Sequence, residues 1–152
     1  MNRTVYPLTL FYDAACPVCA LEMDHLRERD RSHRLRFIDI SAAGFDASPW
    51  GVSARALDAE IHGLCADGTM LRGVEVLRLA YAAAGLGWVL RPTGWAPLKP
   101  LFDLGYGVFA RHRRKISRAA APLVAHLRAR RARQRAERMR RCSGAACDRS
   151  AS

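Results

Sequence analysis

The chain has no uninterrupted apolar run of the roughly 18–20 residues that a bilayer-spanning helix needs. The nearest approach, Val74 to Leu90, is broken by Glu75 and Arg78 and reads as an amphipathic helix. The first residues, Met1-Asn2-Arg3-Thr4-Val5-Tyr6-Pro7, lack the apolar stretch of a secretory signal. Neither a membrane-spanning nor an exported protein is expected. Cysteine is sparse: five residues, at 16, 19, 65, 142 and 147, are too few and too unevenly placed for a secreted disulfide scaffold. The expected location is therefore cytoplasmic. In such a reducing compartment a close cysteine pair is catalytic or metal-binding more often than structural.

Acidic residues are nearly missing from one part of the chain. Residues 1–110 hold 11 Lys+Arg against 12 Asp+Glu, a net of −1, whereas residues 111–152 hold 14 against 2, a net of +12. The overall charge of +11 thus belongs to the C-terminal segment. A length of 152 residues suits one compact domain plus an extension. The expected organisation is a near-neutral body over residues 4–115 and a basic, Arg-rich tail over 116–152, partly helical or disordered. From Arg128 to Arg141, arginine stands at 128, 130, 131, 133, 135, 138, 140 and 141, with Glu137 as the sole acid. Met139 is the only large apolar residue there, so the run builds no core of its own. Such a run attracts polyanions (nucleic acid, anionic lipid, an acidic protein surface) without reading their detail. It offers no aromatic ring to stack on bases and no broad apolar face for lipid.

Within the body, Leu8-Thr9-Leu10-Phe11-Tyr12 is a β-prone run that leads into Asp13-Ala14-Ala15-Cys16-Pro17-Val18-Cys19. Val18, Leu21, Glu22, His25, Leu26 and Arg29 then follow at helical spacing. Pro17 suits a first helical position, where its missing N–H has no intrahelical partner to lose. Leu35 to Ile40 reads as a second strand, which makes the first forty residues a βαβ unit. Ser41 to Ser53 reads as a loop, followed by a helical turn at Ala54–Ala59. Asp67-Gly68 between Glu60–Cys65 and Met70–Gly73 is a hairpin signal, and Val74 to Ala84 reads as a helix that Gly85 closes. The order β-α-β then β-β-α resembles the thioredoxin-like arrangement, an α/β fold with additional C-terminal helices. Leu98 to Phe109 resumes helical spacing, and Pro122 marks a fresh helix start beyond it.

The chemistry concentrates at Cys16-Pro17-Val18-Cys19. Two intervening residues at a helix N-terminus bring two sulfurs within bridging distance. The unpaired N–H groups and dipole of the first turn favour the thiolate of the first cysteine. In this reading Cys16 attacks a partner disulfide, and Cys19, one turn deeper and less exposed, resolves the mixed disulfide. Zinc is the other reading of a CxxC, but the further ligands on offer, Cys142 and Cys147, form a poor second knuckle on a distant basic tail. No metal is therefore assigned. His25, His33 and His62 have no metal-ligand spacing. Cys65 lies on an expected core strand and reads as a small buried hydrophobe. Trp50, Trp88 and Trp95 either pack or line a partner groove.

The segment Tyr12-Asp13-Ala14-Ala15-Cys16-Pro17-Val18-Cys19 resembles the signature of the thiol-disulfide oxidoreductase DCC family, named for its Asp, Cys and Cys. Asp67-Gly68 with Arg72-Gly73 is similar to that family's hairpin and the turn after it. Tyr106-Gly107-Val108-Phe109-Ala110-Arg111-His112-Arg113 is similar to its closing segment. The resemblance covers about Tyr6 to Arg114. It implies a small thioredoxin-like oxidoreductase with Asp13, Cys16 and Cys19 as its defining site residues. Ala14 stands where the family usually has Gly. Thioredoxins also carry a proline just before the third strand, whose backbone helps hold a partner chain; here Leu57-Asp58-Ala59-Glu60 contains none. A different mode of partner recognition follows. Asp13 is open to two readings, a proton-transfer aid to Cys19 or a cap on the first helix.

The function expected is thiol–disulfide exchange on a protein or small-molecule thiol or disulfide. No organic cofactor is implied, since the reducing equivalents reside in the cysteines. The competing expectation is a non-enzymatic binding module, held on an anionic surface by the tail.

Overall fold

The computed structural model describes residues 5–148, leaving aside the side chains of 114, 135, 138 and 141–148. The four residues at each end, and any pairing of Cys142 with Cys147 or with the CxxC, lie outside the described residues. Strand β1 (Leu8–Tyr12), apolar but for Thr9, is buried along nearly its whole length, as a strand covered on both faces must be. It pairs in parallel with β2 (Leu35–Asp39), Leu8 opposite Leu35 and Tyr12 opposite Asp39. A parallel partner needs a crossover, and helix α1 (Pro17–Arg29) provides it. Asp30 ends that helix. Its amide reaches the Leu26 carbonyl, and its buried carboxylate accepts the amides of Arg34 (3.0 Å) and Leu35 (2.8 Å), which aims the chain into β2.

On its other edge β1 pairs antiparallel with β3 (His62–Leu64), which in turn pairs with β4 (Met70–Arg72), giving the order β2-β1-β3-β4. The hairpin closes at Asp67-Gly68, where Gly68 takes φ +83°, a conformation that costs glycine little. Helix α2 (Ala54–Ala59) is capped by the Ser53 hydroxyl, which accepts the Ala56 amide at 3.2 Å. Helix α3 (Val74–Ala83) follows β4 and stops before Gly85. Leu8 and Leu10 of β1, Met23 and Leu26 of α1, Leu71, and Val76 and Ala80 of α3 form one core, with Cys65 buried inside it and not disulfide-bonded. The element order is that of the thioredoxin-like fold.

Short helix α4 (Gly87–Leu90) and a 3-10 turn at Arg91–Gly94 lead to α5 (Lys99–Asp148), a helix of 50 residues. Where the sequence predicts a new helix at Pro122, α5 runs straight through. Pro122 is exposed, so its ring stands at the surface of the helix and not against packed neighbours. Nor does packing stop at residue 115. Ser117 and Val124 are buried, and Arg128 Nη2 donates to Asp24 of α1 at 2.8 Å. The tryptophans divide: Trp50 sits edge-on against Phe11 with centroids 5.1 Å apart, whereas Trp88 and Trp95 are exposed around α4.

Candidate active site

The CxxC lies where β1 hands over to α1. Cys16 is the N-cap of α1, Pro17 its first residue, and no acidic side chain occupies the first turn. The positive end of the helix is therefore uncompensated by any carboxylate of that turn, which favours an anion at the capping sulfur. Cys16 Sγ accepts the Cys19 amide at 3.3 Å. The two cysteines are disulfide-bonded, with Cα atoms 5.3 Å apart.

Several side chains hold the approach to this turn. Asp39, at the end of β2, accepts the Ala14 amide at 3.0 Å and the Ser41 hydroxyl at 2.7 Å. Burial pushes the Asp39 carboxyl up, but bonds from Ser41 and from the amides of Ala14 and Ser41 outweigh it, holding the group below the usual carboxylate range. Asp13 is buried, and its Oδ1 accepts the Ala15 amide at 2.9 Å. The helix cap is Cys16 itself, so of the two readings of Asp13 the capping one is set aside; the carboxylate braces the turn before the helix instead. Its Oδ2 lies 3.7 Å from Arg113 Nη2, and Arg113 donates to Asp58 at 2.7 Å.

The exposure of the two sulfurs is the reverse of the sequence expectation. Cys16, expected outermost, is only 3% exposed, whereas Cys19, expected deeper, is half-buried. The reason is α5, which crosses the first turn of α1 and seats the buried Ser117 hydroxyl 3.0 Å from Cys16 Sγ. The sulfurs also face different hollows. Cys19 lines an apolar cavity of about 320 Å³ between β1, α1, α3 and α5, walled by Phe11, Met23, Leu57, Leu77 and Phe109. Cys16 lines a second hollow with Ser41, Asp58 and Ser117, and Asp13 borders both.

Helix α5 also closes the position just ahead of β3. The Tyr106 hydroxyl accepts the Ile61 amide at 2.9 Å. Burial, with help from Glu60, pushes the Tyr106 phenol above its ordinary value against the opposing pull of the Ile61 amide and Arg113, so it stays protonated at neutral pH. Asp13, Cys16 and Cys19 thus come together as expected, but Asp39, Asp58, Tyr106, Arg113 and Ser117 were not foreseen as site residues. Tyr106 and Arg113 do stand in the family-like closing segment, and that likeness was the one signal available for them. Among the described residues, no cluster of three or more His, Cys, Asp or Glu side chains is arranged to hold a metal ion. Among the same described residues, no helix is long and apolar enough to cross a membrane.

Comparison with known proteins agrees with this geometry. The DCC1-like thiol-disulfide oxidoreductase family model matches residues 10–119, from β1 through the buried Ser117. An uncharacterized chloroplastic protein of Arabidopsis thaliana is 32% identical over 114 residues, covering 74% of this chain and 53% of the relative. The chain therefore spans about half the length of that relative. No solved structure matches. With a matched span that contains the cysteine pair, its bracing carboxylates and the α5 segment lying over them, the chain belongs to the DCC1-like thiol-disulfide oxidoreductase family.

Proposed function

We propose that the protein performs thiol–disulfide exchange through a Cys16–Cys19 couple, acting on a protein or small-molecule thiol or disulfide. The observation that carries this reading is the disulfide at the first turn of α1, with Cys16 Sγ placed at the helix N-terminus. When the bond opens, a thiolate at Cys16 meets the Cys19 amide, the Ser117 hydroxyl and the helix dipole, three interactions that favour the anion. Asp13 supports the couple by bracing the preceding turn and engaging Arg113. The two electrons exchanged reside in the cysteine pair, so the reaction needs no organic cofactor. A cytoplasmic, reducing setting suits a couple that cycles rather than one that staples.

Titration of the full chain against glutathione buffers, read by the mass shift on thiol alkylation, tests the reading. The expected result is one reversible two-electron transition, abolished by either Cys16→Ser or Cys19→Ser. A pair that neither glutathione nor a small neutral thiol opens at any ratio overturns it.

A second reading, contact with polyanions through the basic segment, is supported by the exposed Arg130 and Arg133 on the far part of α5. Since Ser117, Val124 and Arg128 pack on the body, a truncation must begin beyond them. Removal of residues 134–152 is expected to lower the salt needed for elution from heparin, with the redox midpoint unchanged. An unchanged elution salt rejects this contact.

A further inference from the structure

Resting on the exchange reading above, we propose that the apolar cavity beside Cys19 is the substrate site, that it takes small apolar thiols, and that they attack Cys19 rather than Cys16. Three observations converge. First, Cys19 is the sulfur that lines the cavity, while Cys16 is 3% exposed and faces the other hollow. Second, the stabilising contacts gather on Cys16. Its Sγ takes the Cys19 amide at 3.3 Å and the Ser117 hydroxyl at 3.0 Å, at the N-cap of α1. The better-stabilised thiolate is the better leaving group, so an incoming thiolate reacts fastest at the sulfur bonded to it. Third, the Ile61 amide ahead of β3, next to where a partner chain would add as a strand, is already bonded to Tyr106. A peptide has no free amide there. A small molecule needs none.

The cavity's size and lining suit such a ligand. About 320 Å³ lies at the lower end of the range for small-molecule sites. Its wall of Phe11, Met23, Leu57, Leu77 and Phe109 favours aliphatic or aromatic groups over charged ones. Asp13, Glu22 (held by the Tyr81 hydroxyl) and Glu60 outnumber Arg113 among the charged groups of the lining, and this excess of negative charge disfavours anionic thiols such as glutathione. In the reaction, a substrate thiolate attacks Cys19 Sγ and the Cys16–Cys19 bond breaks. Cys16 leaves as the thiolate with the electron pair, and a substrate–Cys19 disulfide forms. A second substrate thiolate then attacks the substrate sulfur of that disulfide, releasing substrate disulfide and the Cys19 thiolate. Two thiols are oxidised, and the protein disulfide is reduced by two electrons.

The test uses the oxidised full chain with propanethiol and with 2-mercaptoethanol, which differ by a methyl in place of a hydroxyl. Each rate is divided by the rate of the same thiol with oxidised glutathione. The normalised rate is expected to favour propanethiol by about tenfold or more. Acid quenching, alkylation and peptide mapping should place the propyl group on Cys19 and the alkylating label on Cys16. Filling the cavity with Leu77→Trp, or making its wall polar with Leu77→Asn, should bring the ratio several-fold closer to unity. Equal normalised rates in the wild-type chain, or propyl found on Cys16, overturn the inference; both are read without any variant. If glutathione titrates the couple but neither small thiol opens it, the inference falls and exchange stands. A disulfide that neither glutathione nor either small thiol opens defeats the exchange reading itself.

Discussion

Arg113→Met is expected to lower the unfolding free energy by about 3 kcal/mol, because it leaves a buried carboxylate with its charge uncompensated. Asp13 and Arg113 are both less than a tenth exposed, and the guanidinium lies 3.7 Å from Asp13 and 2.7 Å from Asp58. The two carboxylates contribute differently. The Asp58 side chain is 45% exposed and regains water when Arg113 is lost, so that pair adds little. The Asp13 side chain is only 10% exposed, so it regains far less water, and the Ala15 amide alone remains to support its charge. Urea denaturation measures the loss directly. Adding Asp13→Asn in the Arg113→Met background should recover a large part of it, as the stranded charge disappears. A loss under about 1 kcal/mol for the single change would mean that the Asp13 charge is already well solvated. Because Asp13 braces the turn ahead of Cys16, the same variant should also shift the midpoint of the glutathione titration.

Substitution of Gly63 is expected to damage the fold itself. Gly63 sits in β3, opposite Leu10 of β1 and Leu71 of β4, and a Cβ built there would lie 2.8 Å from Val76 Cγ1 and 3.2 Å from Leu8 Cδ1. Val76 and Leu8 are wholly buried, so neither can swing into solvent to make room. Overpacking of this kind costs about 1–3 kcal/mol for one added methyl group, and more for a branched side chain. Gly63→Ala should therefore lower Tm by several degrees, and Gly63→Val should fold poorly or not at all. Val76→Ala introduced into the Gly63→Ala chain should restore part of the lost Tm, because it vacates the volume that the new methyl claims. If Gly63→Ala melts with the wild type, then α3 is able to move away from the sheet and the contact is loose.

The parts of the architecture that depend on neighbours along the chain are legible in residue order alone. β1 announces itself as an apolar run, and the helical stripe after Pro17 marks α1. Asp67-Gly68 marks a turn that a positive φ requires. Cys16, Cys19 and Asp13 lie within seven residues of each other, so their gathering at one helix end follows from local geometry. Pro122 misled for an equally local reason. Proline disfavours a helix interior by what it denies the preceding turn, a local rule that a long helix overrides at this exposed position. The Arg-rich run from Arg128 has no core-forming pattern, yet it continues a helix that is anchored earlier by Val124 and by the Arg128–Asp24 pair.

By itself, the sequence determined the order of the β-α-β and β-β-α elements, the place of the cysteine pair at a helix start and the uneven charge, because each is written in residue type and short spacing. Which sulfur faces outward was decided only by the tertiary structure. Ser117 reaches Cys16 from 101 positions away, Tyr106 takes the Ile61 amide across 45, and Arg113, on the same helix, meets Asp13. Contacts of that range depend on where α5 crosses α1, and no periodicity within either helix specifies the crossing. The result is a cysteine pair divided between two environments: Cys16 covered and beside the Ser117 hydroxyl, Cys19 open to an apolar cavity.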